Sequence, residues 1–387
     1  MHATVPARQA LLTILSVSAC LSLCARAGSL AVEELDLGDK LTQEWIVTSP
    51  PPDAPNSHVF DSPDNSAFGV DLQGVSRIFL DTDPTGGLGS RCSGSLLWTG
   101  RHILTAAHCV TDASGNIDVI FGADGNDATF DTAAGDVTLN IKNGGVHPHP
   151  NYDGDALHGF DVAVLELESV APSAVTRYDI NRAFGTEIDT EHVKVGYGRY
   201  GNGSDGHDGT NGGFDGSRRA GKNEWEDDGL GGDPGTDFRT NIVTGITNNT
   251  TQLTFDFDSG DAANDAFFQA FPAYHSADLG FGTDEVNTAP GDSGGPTFIA
   301  GTPLHSGTLA DYIIGGVTSY GLTFSEADFD TDISGDQPDS SWGEFSVDAR
   351  TAHDDMFTWI DATVPEPSAL ALFVLATTAA LAAGRRR

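Results

Sequence analysis

The amino-acid sequence predicts an all-β fold on the basis of two observations. From about residue 68 onward, short apolar or alternating runs recur along the chain, and turn-forming Gly, Asp or Asn residues separate them. The runs lie at 75–80, 117–121, 137–141, 162–167, 193–197, 253–257, 297–299 and 312–319. This pattern is typical of β-sandwiches and of β-barrels, and by itself it fits both.

One helix is predicted near the end of this region. Apolar residues recur there at helical spacing: Ala349, Ala352, Met356, Phe357 and Ile360. Asp348 comes directly before the first of them, and Asp is a favourable N-cap residue. We therefore expect a closing helix that begins after Asp348.

The run Gly-Asp-Ser-Gly-Gly-Pro at 291–296 surrounds one hydroxyl with small and turn-forming residues. Glycines allow backbone N–H groups to converge on one point, where they can stabilise a negatively charged oxygen. The composition therefore indicates a loop that presents Ser293 as a nucleophile. Because serine alone is a weak nucleophile, a base and a residue that orients this base are needed elsewhere.

Two residues fit these roles. His108 follows an apolar run, within Thr-Ala-Ala-His-Cys at 105–109, and Asp161 heads a predicted strand, in Asp-Val-Ala-Val-Leu at 161–165. In these two motifs and in 291–296, in this order, the chain resembles the trypsin/chymotrypsin-like serine proteases. The resemblance covers about residues 68–363.

The resemblance implies a fold of two six-stranded Greek-key β-barrels with a C-terminal helix. His108 and Asp161 would belong to the first barrel, Ser293 to the second, and the three would meet in the cleft between them. It also implies a serine endopeptidase that works through an acyl-enzyme. His108 would be the base, Asp161 would orient it, and the N–H groups of Gly291 and Ser293 would form the oxyanion hole.

Substrate-binding residues are also implied by the resemblance. Asn287 would lie at the base of the primary specificity pocket, while Ser319, Tyr320 and Gly321 would pair with the substrate backbone. A neutral base predicts a preference for uncharged or apolar side chains over Lys and Arg. The alternative is that Asn287 is a turn residue without substrate contact.

The partner of Asp292 bears on how a protease of this type would be activated. In the family, this residue commonly pairs with an ammonium terminus that is released by cleavage before an Ile/Val-Val-Gly-Gly run. No such run precedes Cys92 in this sequence. Either the chain matures at an atypical site, or Asp292 has another partner inside the fold.

Residues 198–236 depart from a compact protease because they are rich in Gly, Asp and Asn. Such a composition buries little apolar surface. We expect a long exposed loop in the second barrel, which is either an inert insertion or a segment that affects substrate access.

The N-terminal region carries the features of an export signal. Arg8 precedes an apolar stretch at 10–23, and Ala-Arg-Ala at 25–27 is a small-x-small cleavage site, so residues 1–27 are predicted to be a signal peptide. A loose lipoprotein box would instead leave Cys20 acylated. Residues 28–67 are predicted to be a lead-in or propeptide.

The C-terminal residues 364–387 contain Pro-Glu-Pro, an apolar run at 369–383 and three arginines. This order resembles the PEP-CTERM sorting signal of Gram-negative bacteria, which implies an exosortase-type partner and transient contact with the membrane through a short transmembrane helix. A plain C-terminal anchor is the alternative. Both interpretations predict an exported protein of the cell envelope, the cell surface or the extracellular space.

The cysteine count agrees with export. Two of the four cysteines lie in the predicted signal, which leaves Cys92 and Cys109 in the mature chain. Two cysteines in an exported chain suggest one disulfide. The resemblance places this bridge beside His108.

The formal net charge of −37 argues against nucleic acid and anionic membrane surfaces as partners. Surface solubility explains this acidity. Clusters such as Asp153/Asp155 and Asp328/Asp330/Asp332 suggest calcium as an alternative, but no spacing matches the EF-hand pattern. We therefore predict no required cofactor and assign no metal ligand.

Two functions from other classes stay open at this point. A protease-like fold can serve as a non-catalytic binding module of the cell surface, and a sorted protein can be a structural component of the extracellular matrix. Both leave the complete set of His108, Asp161 and Ser293 unexplained.

Overall fold

A computed structural model describes residues 47–48, 58–61, 65–83, 89–122, 125–207, 213, 215–227, 250–270, 272, 275–322 and 339–364. The described residues form many strands and few helices, so the predicted all-β class is confirmed. The predicted signal peptide, the tail beyond residue 364 and the Asp328/Asp330/Asp332 cluster lie outside these residues.

In chain order, the strands are β1 Val47–Thr48, β2 Ser66–Ala67, β3 Val70–Asp71, β4 Val75–Leu80, β5 Ser90–Leu96, β6 His102–Thr105, β7 Asp127–Thr132, β8 Gly135–Pro148, β9 Ala163–Leu167, β10 Glu191–Gly196, β11 Gly201–Asn202, β12 Arg219–Glu224, β13 Gln252–Asp256, β14 Val286–Asn287, β15 Pro296–Ala300, β16 Tyr312–Leu322 and β17 Phe345–Arg350. The helices are α1 Ala266–Ala270 and α2 Asp354–Thr363, with 3₁₀ turns at Ala156–His158 and Gly282–Asp284.

The first six-stranded sheet closes into a barrel in the order β4-β5-β6-β9-β8-β7, and all its neighbouring strands are antiparallel. Alternate side chains of these strands point inward, as the period of two in a strand requires. They form an apolar core that includes Ile78, Leu96, Ile103, Phe130 and Leu165.

The second sheet has the order β12-β10-β15-β16-β17-β13. An antiparallel bridge between Asp227 and Thr254 joins its two outer strands, because Asp227 follows β12 and Thr254 belongs to β13. The N–H of Thr254 donates to the carbonyl of Asp227 over 2.9 Å. The predicted architecture of two six-stranded, barrel-like sheets is therefore confirmed.

Ser93 of β5 connects the two barrels. Its N–H donates to the carbonyl of Ser293 over 2.8 Å, and its hydroxyl donates to the carbonyl of Gly291 over 2.9 Å. The same hydroxyl accepts the N–H of Tyr197, which follows β10 of the second barrel. The first barrel thus holds the loop around Ser293 through buried hydrogen bonds.

Two predicted strands differ from the structure in opposite ways. Residues 117–121 form no strand, because Asp112 accepts the N–H groups of Ser114 and Asn116 and turns the chain, and Ile117 is half exposed. In contrast, part of the predicted loop 198–236 is a strand. Strand β12 pairs with β10 along its whole length.

An apolar pattern does not reveal β12, because two of its buried side chains, Arg219 and Asn223, are polar and a third, Ala220, is small. Arg219 is buried and pairs with Asp215 over 2.6 Å. Asn223 is buried and donates to the carbonyls of Asp256 and Val286. Residues 208–212, 214 and 228–236 of the predicted loop lie outside the described residues.

The closing helix exists, but its predicted start is wrong. The helix α2 begins at Asp354, and the side chain of His353 caps it by accepting the N–H of Asp355. Asp348 belongs to β17 instead, where its buried carboxylate bonds to Lys194 and to Trp225. Met356 and Ile360 of α2 pack into the apolar core.

Part of the predicted lead-in contacts the second barrel. The N–H of Phe60 donates to the carbonyl of Arg218, and the guanidinium of Arg218 donates to the side chain of Asn65 over 2.7 Å. Strand β1 pairs with β11 and β14. Among the described residues, no helix is long and apolar enough to cross a membrane.

Candidate active site

His108 and Asp161 come from neighbouring strands of the first barrel. Strand β6 ends at Thr105, which pairs with Ala163 at the start of the antiparallel strand β9. His108 therefore follows one strand and Asp161 precedes the other at the same end of the barrel. Ser293 precedes β15 of the second barrel and lies opposite them.

The three side chains form a continuous chain of hydrogen bonds. Nδ1 of His108 lies 2.7 Å from Oδ2 of Asp161, and Nε2 of His108 lies 2.8 Å from Oγ of Ser293. Because an ionised carboxylate only accepts, Nδ1 carries the proton and Nε2 is free to accept the proton of the serine hydroxyl. The structure thus brings together the three residues that the motifs single out.

Asp161 is fully buried and held from several sides. Its Oδ1 accepts the N–H of His108 over 2.9 Å, and its Oδ2 also accepts the hydroxyl of Ser319 over 2.5 Å. Burial alone would raise the pKa of Asp161, but the electrostatic attraction to the ring of His108, strongest when that ring is protonated, and the hydrogen bonds from His108 and Ser319 outweigh burial and lower it. Asp161 is therefore kept as a carboxylate.

An unusual backbone turn leads into Asp161. Gly159 and Phe160 both have positive φ angles, 83° and 59°, and for Phe160 this conformation is uncommon. The ring of Phe160 stacks on His149 with a centroid distance of 4.9 Å, which holds the turn in place. The strain is thus offset by packing directly before a candidate catalytic residue.

The loop around Ser293 depends on its glycines. Gly291 and Gly294 have φ angles of 94° and 80°. A Cβ at Gly294 would lie only 2.0 Å from Oγ1 of Thr105. In the described hydrogen bonds, the N–H groups of Gly291 and Ser293 have no acceptor. Both are therefore available to an oxygen bound beside Ser293.

Asp292 finds its partners in the backbone of the second barrel. Its Oδ1 accepts the N–H of Gly198 over 2.8 Å, and its Oδ2 accepts the N–H of Ala289 over 3.1 Å. Burial raises the pKa of Asp292 to about 7, although these two donors and the charge of Lys194 oppose the rise. The interactions of Asp292 therefore offset the effect of burial on its pKa less completely than those of Asp161 do.

Asn287 is buried in β14, six residues before Ser293 in sequence. Its side-chain oxygen accepts the hydroxyl of Ser346 and the N–H of Thr288. The carboxamide is thus held in place by neighbours in the second barrel. Ala289, which is also buried, packs against Phe257 and Trp342 in the same region.

At residues 319–321, the described pairing of β16 is with β17 alone. Pairing of β15 with β16 ends at Val317, whereas β17 continues along β16 to Leu322. In the described part of the chain, strand pairing beyond Val317 therefore occurs on one side of β16. An extended peptide could add to the opposite side, next to Gly321.

Ser319 makes a contact with Asp161 that the sequence does not predict. The pairing of β16 with β17 is irregular between Thr318 and Tyr320, so Ser319 sits at a bulge. Its side chain is buried and reaches Asp161 of the other barrel. Only the tertiary structure shows this contact, because 158 residues separate the two positions.

The disulfide between Cys92 and Cys109 is confirmed. It joins Cys92 of β5 to Cys109, which directly follows His108. The pair Asp153/Asp155 is one of the acidic clusters suggested for calcium. Asp153 is exposed and Asp155 is half-buried, and both lie against the ring of His158. The structure therefore gives this pair a partner within the chain.

Part of the chain is similar to known proteins. Residues 78–212 match the Trypsin family model, a range that holds His108 and Asp161 but ends before Ser293. Among solved structures, neuropsin, a serine protease expressed in the limbic system of mouse brain, is similar with 14% identity and a TM-score of 0.46. That alignment covers 76% of this chain and 95% of neuropsin. No curated protein sequence is significantly similar to this chain.

Proposed function

We propose that this chain is a trypsin-like serine endopeptidase. The observation that carries the proposal is the hydrogen-bonded chain from Ser293 through His108 to Asp161 across the two barrels. A buried carboxylate, a singly protonated imidazole and a hydroxyl in this order form the arrangement that activates serine for acyl transfer.

In the proposed reaction, Nε2 of His108 takes the proton of Ser293 as Oγ attacks a peptide carbonyl. Asp161 holds the ring and stabilises the imidazolium that forms. The N–H groups of Gly291 and Ser293 stabilise the oxyanion, each contributing roughly 3–4 kcal/mol to the transition state. His108 then protonates the leaving amine, and water hydrolyses the acyl-enzyme by the same route.

The test is labelling by a fluorophosphonate probe, combined with peptide hydrolysis. Wild-type protein should react with the probe at Ser293, and Ser293→Ala should lose labelling and about 10⁵- to 10⁶-fold in kcat. Ser306→Ala, an exposed serine outside the cleft, is the matched control and should keep both activities. Absence of labelling in folded wild-type protein would favour the non-catalytic binding module instead.

We also propose that Asn287 gives the pocket a preference for uncharged side chains. The support is its burial together with the fixed orientation of its carboxamide by Ser346 and Thr288. Asn287→Asp should then shift cleavage of a peptide library toward Lys and Arg, because it places a negative charge at the pocket base. An unchanged preference would mean that Asn287 does not contact the substrate side chain.

Export and sorting complete the proposed function. A disulfide-bonded trypsin-like domain is typical of extracellular proteases, and residues 1–27 and 364–387 supply the predicted signal peptide and sorting tail. Mass spectrometry of the mature protein should find an N-terminus after residue 27 and cleavage near Pro365-Glu366-Pro367. Retention of the whole tail would argue against exosortase-type processing.

A further inference from the structure

Three aspartates of the second barrel gather away from the serine, histidine and aspartate described above. Asp256 ends β13, Asp258 follows it, and Asp265 precedes α1. One carboxylate oxygen of each lies within 4.8 Å of the others. All three residues are buried, with exposed fractions of 1%, 5% and 1%.

The backbone satisfies only part of this negative charge. Oδ2 of Asp256 accepts the N–H of Ala266, and both oxygens of Asp265 accept backbone N–H groups, those of Phe268 and Asp278. In contrast, Oδ1 of Asp256 and Oδ1 of Asp258 are buried and accept no N–H or hydroxyl group of the described residues, although the carboxyl group of Glu226 lies against Asp256. Buried carboxylate oxygens without a partner cost several kcal/mol, so a missing partner is implied.

The positive charge near the three aspartates is small, because His275 acts on Asp265 alone. Among the described residues, the charges that act most on the three aspartates include no lysine and no arginine. Two further carboxylates lie nearby instead: Glu226 next to Asp256, and Glu285 next to Asp258. A Cβ at Gly280 would lie 2.7 Å from Cβ of Asp258 and from Oε2 of Glu285, so both side chains lie against this glycine.

We propose that Asp256, Asp258 and Asp265 bind a calcium ion. The available ligand atoms are all oxygens, which a hard cation prefers, and Ca²⁺–oxygen distances of about 2.3–2.6 Å place opposite ligands about 5 Å apart. The two unpartnered oxygens face a group of like charges that a divalent cation would neutralise. The proposal is independent of catalysis.

The ion would stabilise the segments that lead to the pocket. Asp256 and Asp258 anchor the end of β13, and Glu285 directly precedes β14, which contains Asn287. Calcium would thus connect the barrel wall to the chain that approaches the base of the proposed pocket. We therefore expect its removal to loosen this side of the second barrel first.

The experiment uses the full chain with Ser293→Ala, so that self-digestion cannot change the result and failure of the catalytic proposal does not affect it. After dialysis against EGTA, Ca²⁺ is titrated in by calorimetry, and Tm is measured with and without millimolar Ca²⁺. We expect one site with a Kd at or below about 10⁻³ M and a rise in Tm of at least about 1 °C. Absence of binding would overturn the proposal.

Variants locate the site. Asp258→Asn should bind Ca²⁺ at least tenfold more weakly and lose the rise in Tm, whereas the exposed control Asp153→Asn should keep both. If Asp258→Asn does not fold, Asp256→Asn provides the same comparison. Binding that survives in the buried variant but is lost in the control would overturn the proposal, and so would an equal effect of Mg²⁺ on the wild-type chain.

Discussion

The interior of the first barrel is apolar, whereas buried ion pairs cross the interior of the second. Between Val75 and Leu167, Asp161 is the only buried Asp, Glu, Lys or Arg among the described residues, and it belongs to the proposed active site. In the second barrel, Lys194 bonds to Asp348, and Arg350 pairs with Glu187 over 2.6 Å. All four side chains are buried.

This difference shows how strictly each barrel interior constrains the choice of its side chains. An apolar core tolerates exchange of side chains of similar volume, whereas a buried ion pair demands one partner geometry. The Trypsin family match ends at residue 212, so it covers the apolar barrel and only the start of the charged one.

The largest expected effect comes from breaking the charged interior. Lys194→Met leaves the buried carboxylate of Asp348 without its cation and should lower the free energy of unfolding by about 3–5 kcal/mol. Lys142→Met is the matched control, because Lys142 pairs with Glu166 on the surface of the first barrel and should cost about 0–1 kcal/mol. Urea denaturation in the Ser293→Ala background measures both.

A second variant separates charge from packing. Lys194→Met combined with Asp348→Leu should recover part of the loss, because it removes the unpaired charge as well. Equal costs for Lys194→Met and Lys142→Met would contradict the proposed contrast between the two interiors.

The next effect concerns the first barrel, which contains the disulfide. Replacing Cys92 and Cys109 by Ala opens a loop with a sequence separation of 17 and should lower the free energy of unfolding by about 3 kcal/mol. The second barrel contains no cysteine. If non-reducing urea melts of wild type and double variant coincide, the disulfide does not stabilise the first barrel.

The sequence predicts the first barrel better than the second, for a physical reason. The run at 75–80 matches β4 because its apolar residues face the core. Strand β12 and the strand position of Asp348 do not emerge from the sequence because their buried residues are polar, and polar residues in sequence normally indicate loops or caps. Hydrophobic patterns cannot show which distant partner compensates a buried charge.

The residues of the candidate site also differ in how far the sequence alone predicts them. His108, Asp161 and Ser293 lie in local motifs of characteristic composition, so they could be singled out without coordinates. Ser319 could be placed near the substrate, but its contact with Asp161 needs both barrels. The group formed by Asp256, Asp258 and Asp265 could not be singled out because its spacing matches no metal-binding motif.

A smaller effect should appear as pH dependence of the second barrel. His192 is buried against Trp225, and neither ring nitrogen has a hydrogen-bond partner among the described residues. Burial, and then the charge of Lys194, lower the pKa of His192 well below 6.5. Because the folded pKa is lower than the unfolded one, stability present above pH 6.5 is lost as the pH falls below it.

We therefore expect His192→Phe to flatten the loss of stability between about pH 7 and pH 5. The gain at pH 5 is at most about 2 kcal/mol, since an unfolded histidine titrates near 6.5. His147→Phe in β8 of the first barrel is the matched comparison, because it makes the same exchange outside the second barrel. If the two variants follow the same pH curve, then His192 does not titrate differently in the folded state.

The smallest effect tests the contact that joins the two barrels. Ser319→Ala removes a donor to Asp161 and should lower kcat about tenfold with little change in KM, because one hydrogen bond to a charged group is lost. The carboxylate of Asp161, with one donor fewer, should also favour the protonated imidazole more strongly, which moves the acid limb of the pH–rate profile upward. Ser76→Ala, a buried serine of β4 that bonds to the carbonyl of Gly94, should change neither. A fall in kcat with an unmoved profile would mean that Ser319 supports only the fold, and the apolar barrel would then orient Asp161 without help from the charged one.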